Sequence, residues 1–204
     1  LHLQGVTVQR GRRSVLQNLN LAVEPGQSIG IIGGNGSGKS TLLRAIVGLC
    51  RCTSGSITVA GHPASAGRHQ IGWLSDRPVF PSITVGEVVR IHQRIVHATP
   101  QACSARLSRL GLSDTTRDRA DQLSSGQTRR LAFALATVHA PPVLLLDEPF
   151  TALDERGREQ MLEQIQEAVA GGAAVLCAAP SRADLDPMCE ALYTLDGGTL
   201  ESHS

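Results

Sequence analysis

The stretch IGIIGGNGSGKST, residues 29–41, runs from an apolar strand through a glycine-rich loop into the start of a helix. Gly33 to Ser40 fit the spacing G-x-x-x-x-G-K-[ST]. Small residues let the backbone curl so that successive N–H groups converge on phosphate oxygens, and the following helix adds its positive N-terminal end. The spacing therefore assigns Gly33, Gly34, Asn35, Gly36, Ser37, Gly38 and Thr41 to a phosphate cradle, Lys39 to the β- and γ-phosphates, and Ser40 to Mg²⁺. Composition weighs against a chance glycine-rich turn. Of 19 Lys plus Arg residues, Lys39 is the sole lysine. A chain that otherwise uses arginine keeps a slim ammonium where a broad guanidinium would not fit between phosphates.

A second run, VLLLDE at 143–148, ends an apolar strand in two acids. An open α/β sheet binds ligands at the carboxyl ends of its strands, which suits Asp147 as a holder of Mg²⁺ through the water shell of the metal. Glu148, one residue on, has the reach to act as general base on an attacking water. The plain alternative is a strand that meets a charged helix cap. Beside the phosphate loop, the pair points to a nucleoside triphosphatase.

Bulk properties narrow the class. At 204 residues, 41% hydrophobic and 18% charged, the chain has the length and composition of one globular domain. A net charge of +1 and only five Phe, Trp or Tyr residues disfavour nucleic acid as a partner. The cysteines, at 50, 52, 103, 177 and 189, are odd in number and mostly lie in apolar stretches, which fits a reducing cytosol rather than a disulfide framework. Cys50-Arg-Cys52 has no second Cys/His pair at zinc-site spacing. The most apolar stretch, Ala168 to Pro180, falls short of the ~20 residues that span a bilayer, so any link to a membrane must come through a partner.

Hydrophobic patterning predicts strands at 3–8, 20–23, 28–32, 56–60, 70–74, 143–147, 173–178 and near 192–195, and a helix over 155–169. Thr84 with Glu87 forms a capping-box pattern, and Thr99-Pro100 an N-cap followed by proline, which predicts two helices within 84–110. Met161, Leu162, Ile165 and Val169 recur at helical spacing as a core-facing stripe. AAVLCAAPSR, residues 173–182, reads as a buried strand, a Pro-Ser turn and then a helix, with no chemical group at the strand tip.

LSSGQ at 123–127 reads alone as an ordinary helix N-cap. In order with GGNGSGKST, VLLLDEP and TALD at 151–154, it resembles the LSGGQ signature of the ATP-binding-cassette (ABC) ATPases, and the resemblance covers essentially the whole chain. It implies an α/β fold, with a P-loop NTPase core, an antiparallel β subdomain and an inserted α-helical subdomain at about 77–130, all within a single nucleotide-binding domain over 1–204. It implies ATP and Mg²⁺ as ligands. It also implies a head-to-tail homodimer or heterodimer of ABC ATPase domains, in which Ser124, Gly126 and Gln127 face the γ-phosphate bound by the partner and Asp154 lies at the interface. An integral membrane transporter subunit would dock on the helical insert, placing the chain in the cytoplasm, peripheral on the inner face of the plasma membrane.

Three positions depart from the family pattern. Where an aromatic residue stacks on adenine, this chain has Arg10, whose guanidinium can still lie flat on a base. Where the Q-loop carries glutamine, IGWLSDRPVF supplies Asp76, a competent Mg²⁺ ligand that adds negative charge. Where a histidine senses the γ-phosphate, the chain has Pro180, and no histidine occurs between His139 and His203.

The leading expectation is an ATP-hydrolysing transporter subunit that looks most like the compact ATPases of export systems, haem exporters of cytochrome c biogenesis included. The competing expectation is a degenerate or regulatory subunit that binds ATP and dimerises with little turnover. ABC ATPases of DNA repair or translation typically carry a coiled-coil insertion or two tandem cassettes, and the sequence has neither. GTPases are disfavoured because no Asn-Lys-x-Asp motif is present.

Overall fold

The structure, a computed structural model, describes residues 1–203. β1 (His2–Arg10) and β2 (Arg13–Ala22) form a hairpin. The predicted strand 20–23 captures only the end of β2. Register shifts in the pairing turn Leu16, Leu19 and Leu21 inward at uneven spacing, so no simple alternation marks the strand. β3 (Ser28–Ile32), α1 (Lys39–Ile46), β4 (Ser54–Val59) and β5 (His62–Pro63) follow. An antiparallel sheet is ordered β2-β1-β4-β5.

Next come β6 (Ile71–Leu74), α2 (Val85–Val96), α3 (Pro100–Arg109), α4 (Ser125–Thr137), β7 (Val143–Asp147), α5 (Glu155–Ala170), β8 (Ala174–Ala179), β9 (Ala191–Asp196) and β10 (Thr199–His203). A second sheet is ordered β10-β9-β3-β8-β7-β6; its strands are parallel except for β10 at the edge. β10 was not foreseen. Its hairpin with β9 turns through Gly197 and Gly198, both at positive φ, a two-residue turn signal that lies in a largely polar stretch.

The central strands are apolar throughout because both faces are covered. Val143 and Leu145 of β7 point into a core shared with α1 and the antiparallel sheet, beside Leu42, Leu43 and Ile46. Leu144 and Leu146 point the other way, into a core with Phe133, Met161 and Ile165. The predicted stripe on α5 accordingly faces inward, with Met161 and Ile165 fully buried and Leu162 and Val169 partly so. α2 begins at the capping box of Thr84 and Glu87, and α3 at Thr99 with Pro100 in its first turn.

The helix expected after the Pro-Ser turn is only a 3-10 turn at Arg182–Asp184. Pro187 follows within a few residues and disfavours helical geometry at Asp186, which leaves too short a segment for an α-helix.

α2 and α4 also frame a groove of about 800 Å³ whose wall includes His92 and His139. Their ring centroids lie 6.5 Å apart, and a ring nitrogen of His92 is 2.8 Å from the Leu135 carbonyl. Burial lowers the pKa of both rings; His92 lowers that of His139 further, while the contact with Leu135 partly opposes burial at His92. An unfolded histidine takes up a proton near pH 6.5, so the unfolded chain gains protons before the folded one does as pH falls. Stability is expected to drop from about pH 6.5 downward. His139→Asn should flatten the dependence of melting temperature on pH between 7 and 5, and an unchanged slope would contradict this account.

Candidate functional site

Parallel register builds the site. Ile32 lies beside Ala179, Ala178 beside Asp147, and Leu146 beside Leu74. The loops after β3, β8, β7 and β6 therefore leave the sheet at one edge, where open α/β sheets collect ligand-binding groups.

The loop from Gly33 to Gly38 is set by close approach and by backbone sign. A Cβ on Gly33 would lie 2.6 Å from the Leu195 carbonyl oxygen, and Gly38 has φ 113°, a left-handed conformation that side chains rarely adopt. Lys39 is buried and folds back over the loop, donating to the carbonyls of Gly33 at 2.6 Å and Gly34 at 3.1 Å. Burial lowers its pKa, and the neighbouring Glu148 and Asp147 oppose that shift. Among the described residues, α2, α3, α4 and α5 have side-chain caps from Thr84, Thr99, Ser124 and Asp154, whereas the first turn of α1 has none. Its free N–H groups, next to a lysine, form a ready anion site.

Asp147 ends β7 with its Oδ1 buried and without a hydrogen-bond partner. Burial pushes its carboxyl pKa up, Asp76 and Glu148 add to the shift, and a hydrogen bond with Ser40 and the charge of Lys39 draw it back. A divalent cation would satisfy such an orphaned oxygen. The donors at hand, Ser40, Asp147 and Asp76, are the hard oxygens Mg²⁺ prefers when phosphates complete its shell. Among the described residues no cluster of three His, Cys, Asp or Glu could hold a metal ion without such help. The charge that Asp76 adds is partly met by Arg44 of α1, 3.3 Å away.

Glu148 sits at φ 50°, with its N–H on the Ala178 carbonyl at 2.8 Å and its Oε2 accepting from the Thr151 hydroxyl at 3.2 Å. It lines a small cleft with Thr151, Ala179, Pro180 and Asp184. Pro180 directly follows β8 and has no side-chain donor. Ser181, next in the chain, donates to Asp184 at 2.6 Å.

At the start of α4, Ser124 accepts from the Gln127 N–H at 3.2 Å while the Gln127 side chain accepts from the Ser124 N–H at 3.0 Å. The plain N-cap reading and the signature reading thus describe one feature, since the hydroxyl proton of Ser124 remains available to a ligand. Gly126 is required by packing: a Cβ there would lie 2.9 Å from the Ala152 carbonyl oxygen. Arg10 stands exposed at the end of β1 opposite Arg13, close in sequence to Val15, whose carbonyl packs against Gly38. The hairpin therefore flanks the phosphate loop.

Sequence reasoning missed three residues. Arg44 pairs with Asp76, Thr151 holds Glu148, and Arg129 donates to the main chain beside both acids. A signal for Arg129 was available, because it shares the buried face of α4 with Phe133, Ala136 and Thr137 at helical spacing.

Residues 16–151 match the ABC transporter family. The chain belongs to that family. It is 31% identical to an uncharacterized ABC transporter ATP-binding protein, YdbJ, of Bacillus subtilis, over 99% of this chain and 68% of that one. An aliphatic sulfonates import ATP-binding protein of Cupriavidus necator is 38% identical over 79% of this chain and 54% of its own. A cytochrome c biogenesis ATP-binding export protein, CcmA, of Rhodopseudomonas palustris is 34% identical over 87% of this chain and 90% of its own. The dimeric structure of a bacterial ABC transporter cassette superposes with a TM-score of 0.88 at 25% identity, covering 98% of this chain and 96% of that one. The chain spans about two thirds of the length of the first of these curated relatives. The fold is that of a P-loop ABC ATPase, with its additional antiparallel sheet and helices.

The orphaned carboxylate has a thermodynamic consequence. Asp147→Asn removes a buried charge that Ser40 and Lys39 offset only in part, and is expected to raise the melting temperature of the nucleotide-free chain by a few degrees, as functional sites often cost stability. The same variant should lose the stabilisation that Mg-ATP gives. Both are readable by differential scanning fluorimetry.

Proposed function

We propose that the chain binds and hydrolyses ATP to drive a separate membrane subunit, in the export direction, as one half of a dimer of ABC ATPase domains. The observation that carries this reading is the convergence of Lys39, Ser40, Asp147 and Glu148 at the carboxyl edge of the parallel sheet. In it, the loop N–H groups and Lys39 bind the phosphates, and Arg10 lies against the base. Lys39 must exchange the Gly33 and Gly34 carbonyls for phosphate oxygens, so ATP displaces contacts already made. Mg²⁺, held by Ser40, Asp147 and Asp76, would offset charge on the β- and γ-phosphates. Glu148, tethered by Thr151, takes the proton of the attacking water. Ser124, Gly126 and Gln127 complete the nucleotide site of the partner, whether that is a second copy or another ATPase.

No helix among the described residues is long and apolar enough to cross a membrane. One surface feature supports a membrane subunit as partner. The groove between α2, α4 and β6 is walled by apolar side chains such as Trp73, Phe80 and Leu135, with Val79 87% and Ile95 69% exposed, which suits a docking helix. Export is favoured because the cytochrome c biogenesis export protein is matched over 90% of its own length, whereas the sulfonate import protein is matched over 54% of its own. The division into one nucleotide-binding domain over 1–204, with a helical insert at about 77–130, belongs to the same proposal, as does a place on the cytoplasmic face of the membrane.

A second reading rests on Pro180. With no donor to position the γ-phosphate, turnover falls by about 10²–10³ relative to a site that has one, and the chain acts mainly as an ATP-gated partner. Steady-state hydrolysis at saturating Mg-ATP, compared with Glu148→Gln, separates the two. Turnover clearly above that control supports the motor; turnover equal to it, with ATP still bound, supports the gated partner. If the missing donor is what limits the rate, Pro180→His should raise turnover by about tenfold or more. No gain would locate the limit elsewhere.

A further inference from the structure

Arg129 is buried in the second turn of α4, yet it has no carboxylate partner within ion-pair distance among the described residues. Its guanidinium instead holds three main-chain carbonyls. Nη1 donates to Glu148 at 2.7 Å and to Asp147 at 3.2 Å, and Nη2 donates to Asp76 at 2.5 Å. These carbonyls belong to two segments, the loop that follows β6 and the junction where β7 ends and its loop begins, and between them they carry all three acids of the site. A planar fork with fixed donor directions sets the spacing between such loops in a way a point charge cannot.

The constraint falls where the backbone most needs it. Glu148 has φ 50°, an unfavourable conformation for a residue with a Cβ, which persists only when its surroundings over-determine it. Its N–H is fixed by Ala178 and its carbonyl by Arg129, so both peptide groups flanking the Cα are held. The direction of the carboxylate follows from that. α4 touches the same loop again where Gly126 packs under the Ala152 carbonyl. One helix therefore bears Ser124 at its N-terminus and grips the loop of Glu148 at two places.

We propose that Arg129 is a positioning residue, which holds Glu148 and Asp76 in register and couples a phosphate at the N-terminus of α4 to the water-activating carboxylate of the same chain. The inference rests on the hydrolytic reading above. A phosphate engaged by Ser124 and Gly126 pulls on α4, and the guanidinium passes that displacement to Glu148 without any contact with nucleotide. Arg129 would therefore act on the rate of the chemical step and leave ground-state ATP binding to the phosphate loop.

The test compares kcat, KM and the equilibrium Kd for ATP in the full chain, in Arg129→Lys, and in Arg106→Lys as a control. Arg106 is half-buried and holds Gln164 and the Thr137 carbonyl, away from the acids. Arg129→Lys is expected to lower kcat by about tenfold or more while Kd changes by less than about threefold, because a single ammonium cannot span three carbonyls. On a Glu148→Gln background the same substitution should change the residual rate by less than about twofold, since the group it positions is already gone. That non-additivity would not arise from a general loss of stability. If Arg129→Lys fails to fold, Arg129→Gln, which keeps two donors, is measured in the same way.

A kcat within about twofold of the unsubstituted chain, or an equal loss in Arg106→Lys, overturns the positioning role while the hydrolytic reading stands. Turnover of the unsubstituted chain no higher than that of Glu148→Gln overturns both.

Discussion

The end of β7 puts two carboxylates beside a lysine in a space too closed for water to screen them well. Asp147 is buried with an oxygen unpaired, Lys39 is buried against loop carbonyls, and each shifts the titration of the other. Attraction and repulsion are both strong at low effective dielectric, so the free site holds charge that is incompletely balanced. An anionic triphosphate together with a divalent cation would supply the charges that the free site lacks. The parallel register holds Ile32, Ala179, Asp147 and Leu74 at one edge, and β3, β7 and β8 can supply that register because they are buried on both faces.

Around that receptacle the helices divide the work by how their N-termini are finished. α1 leaves its first N–H groups free toward the loop, whereas α4 caps its own with Ser124 and Gln127 and keeps one hydroxyl proton to offer outward. The first suits a ligand bound deep in this chain. The second suits one presented by another. Gly126 under Ala152 and Arg129 on three carbonyls then tie the outward-facing end to the inward-facing acids.

The three departures from the family pattern have unequal structural consequences. Asp76 is accommodated: Arg44 meets its charge, and Arg129 fixes its main chain. Arg10 is exposed on a hairpin that already borders the phosphate loop, so its exchange for an aromatic disturbs no packing. Pro180 is different, because the segment after β8 forms a 3-10 turn in which the Ser181 hydroxyl donates to Asp184. The turn brings an acid, not a cation, to the cleft shared with Glu148.

Much of this was legible in the sequence. The glycine spacing, the sole lysine, the acids after VLLL and the caps at Thr84 and Thr99 are local signals, each fixed by backbone sterics or hydrogen bonding over a few residues, and the sequence is enough to read them. Short-range logic also gave the fully apolar strands, since burial on both faces removes alternation. The remainder depended on groups far apart in the chain. β2 hid behind irregular pairing with β1, and β10 is stabilised by its partner β9 rather than by its own composition. Arg44 meets Asp76, and Arg129 meets Asp76, Asp147 and Glu148, across separations of 18 to 53 residues. By itself the sequence determined which chemical groups the site possesses. Only the tertiary structure decided how they are held, because a carbonyl gripped by an arginine is a main-chain group that every residue carries and no residue type announces.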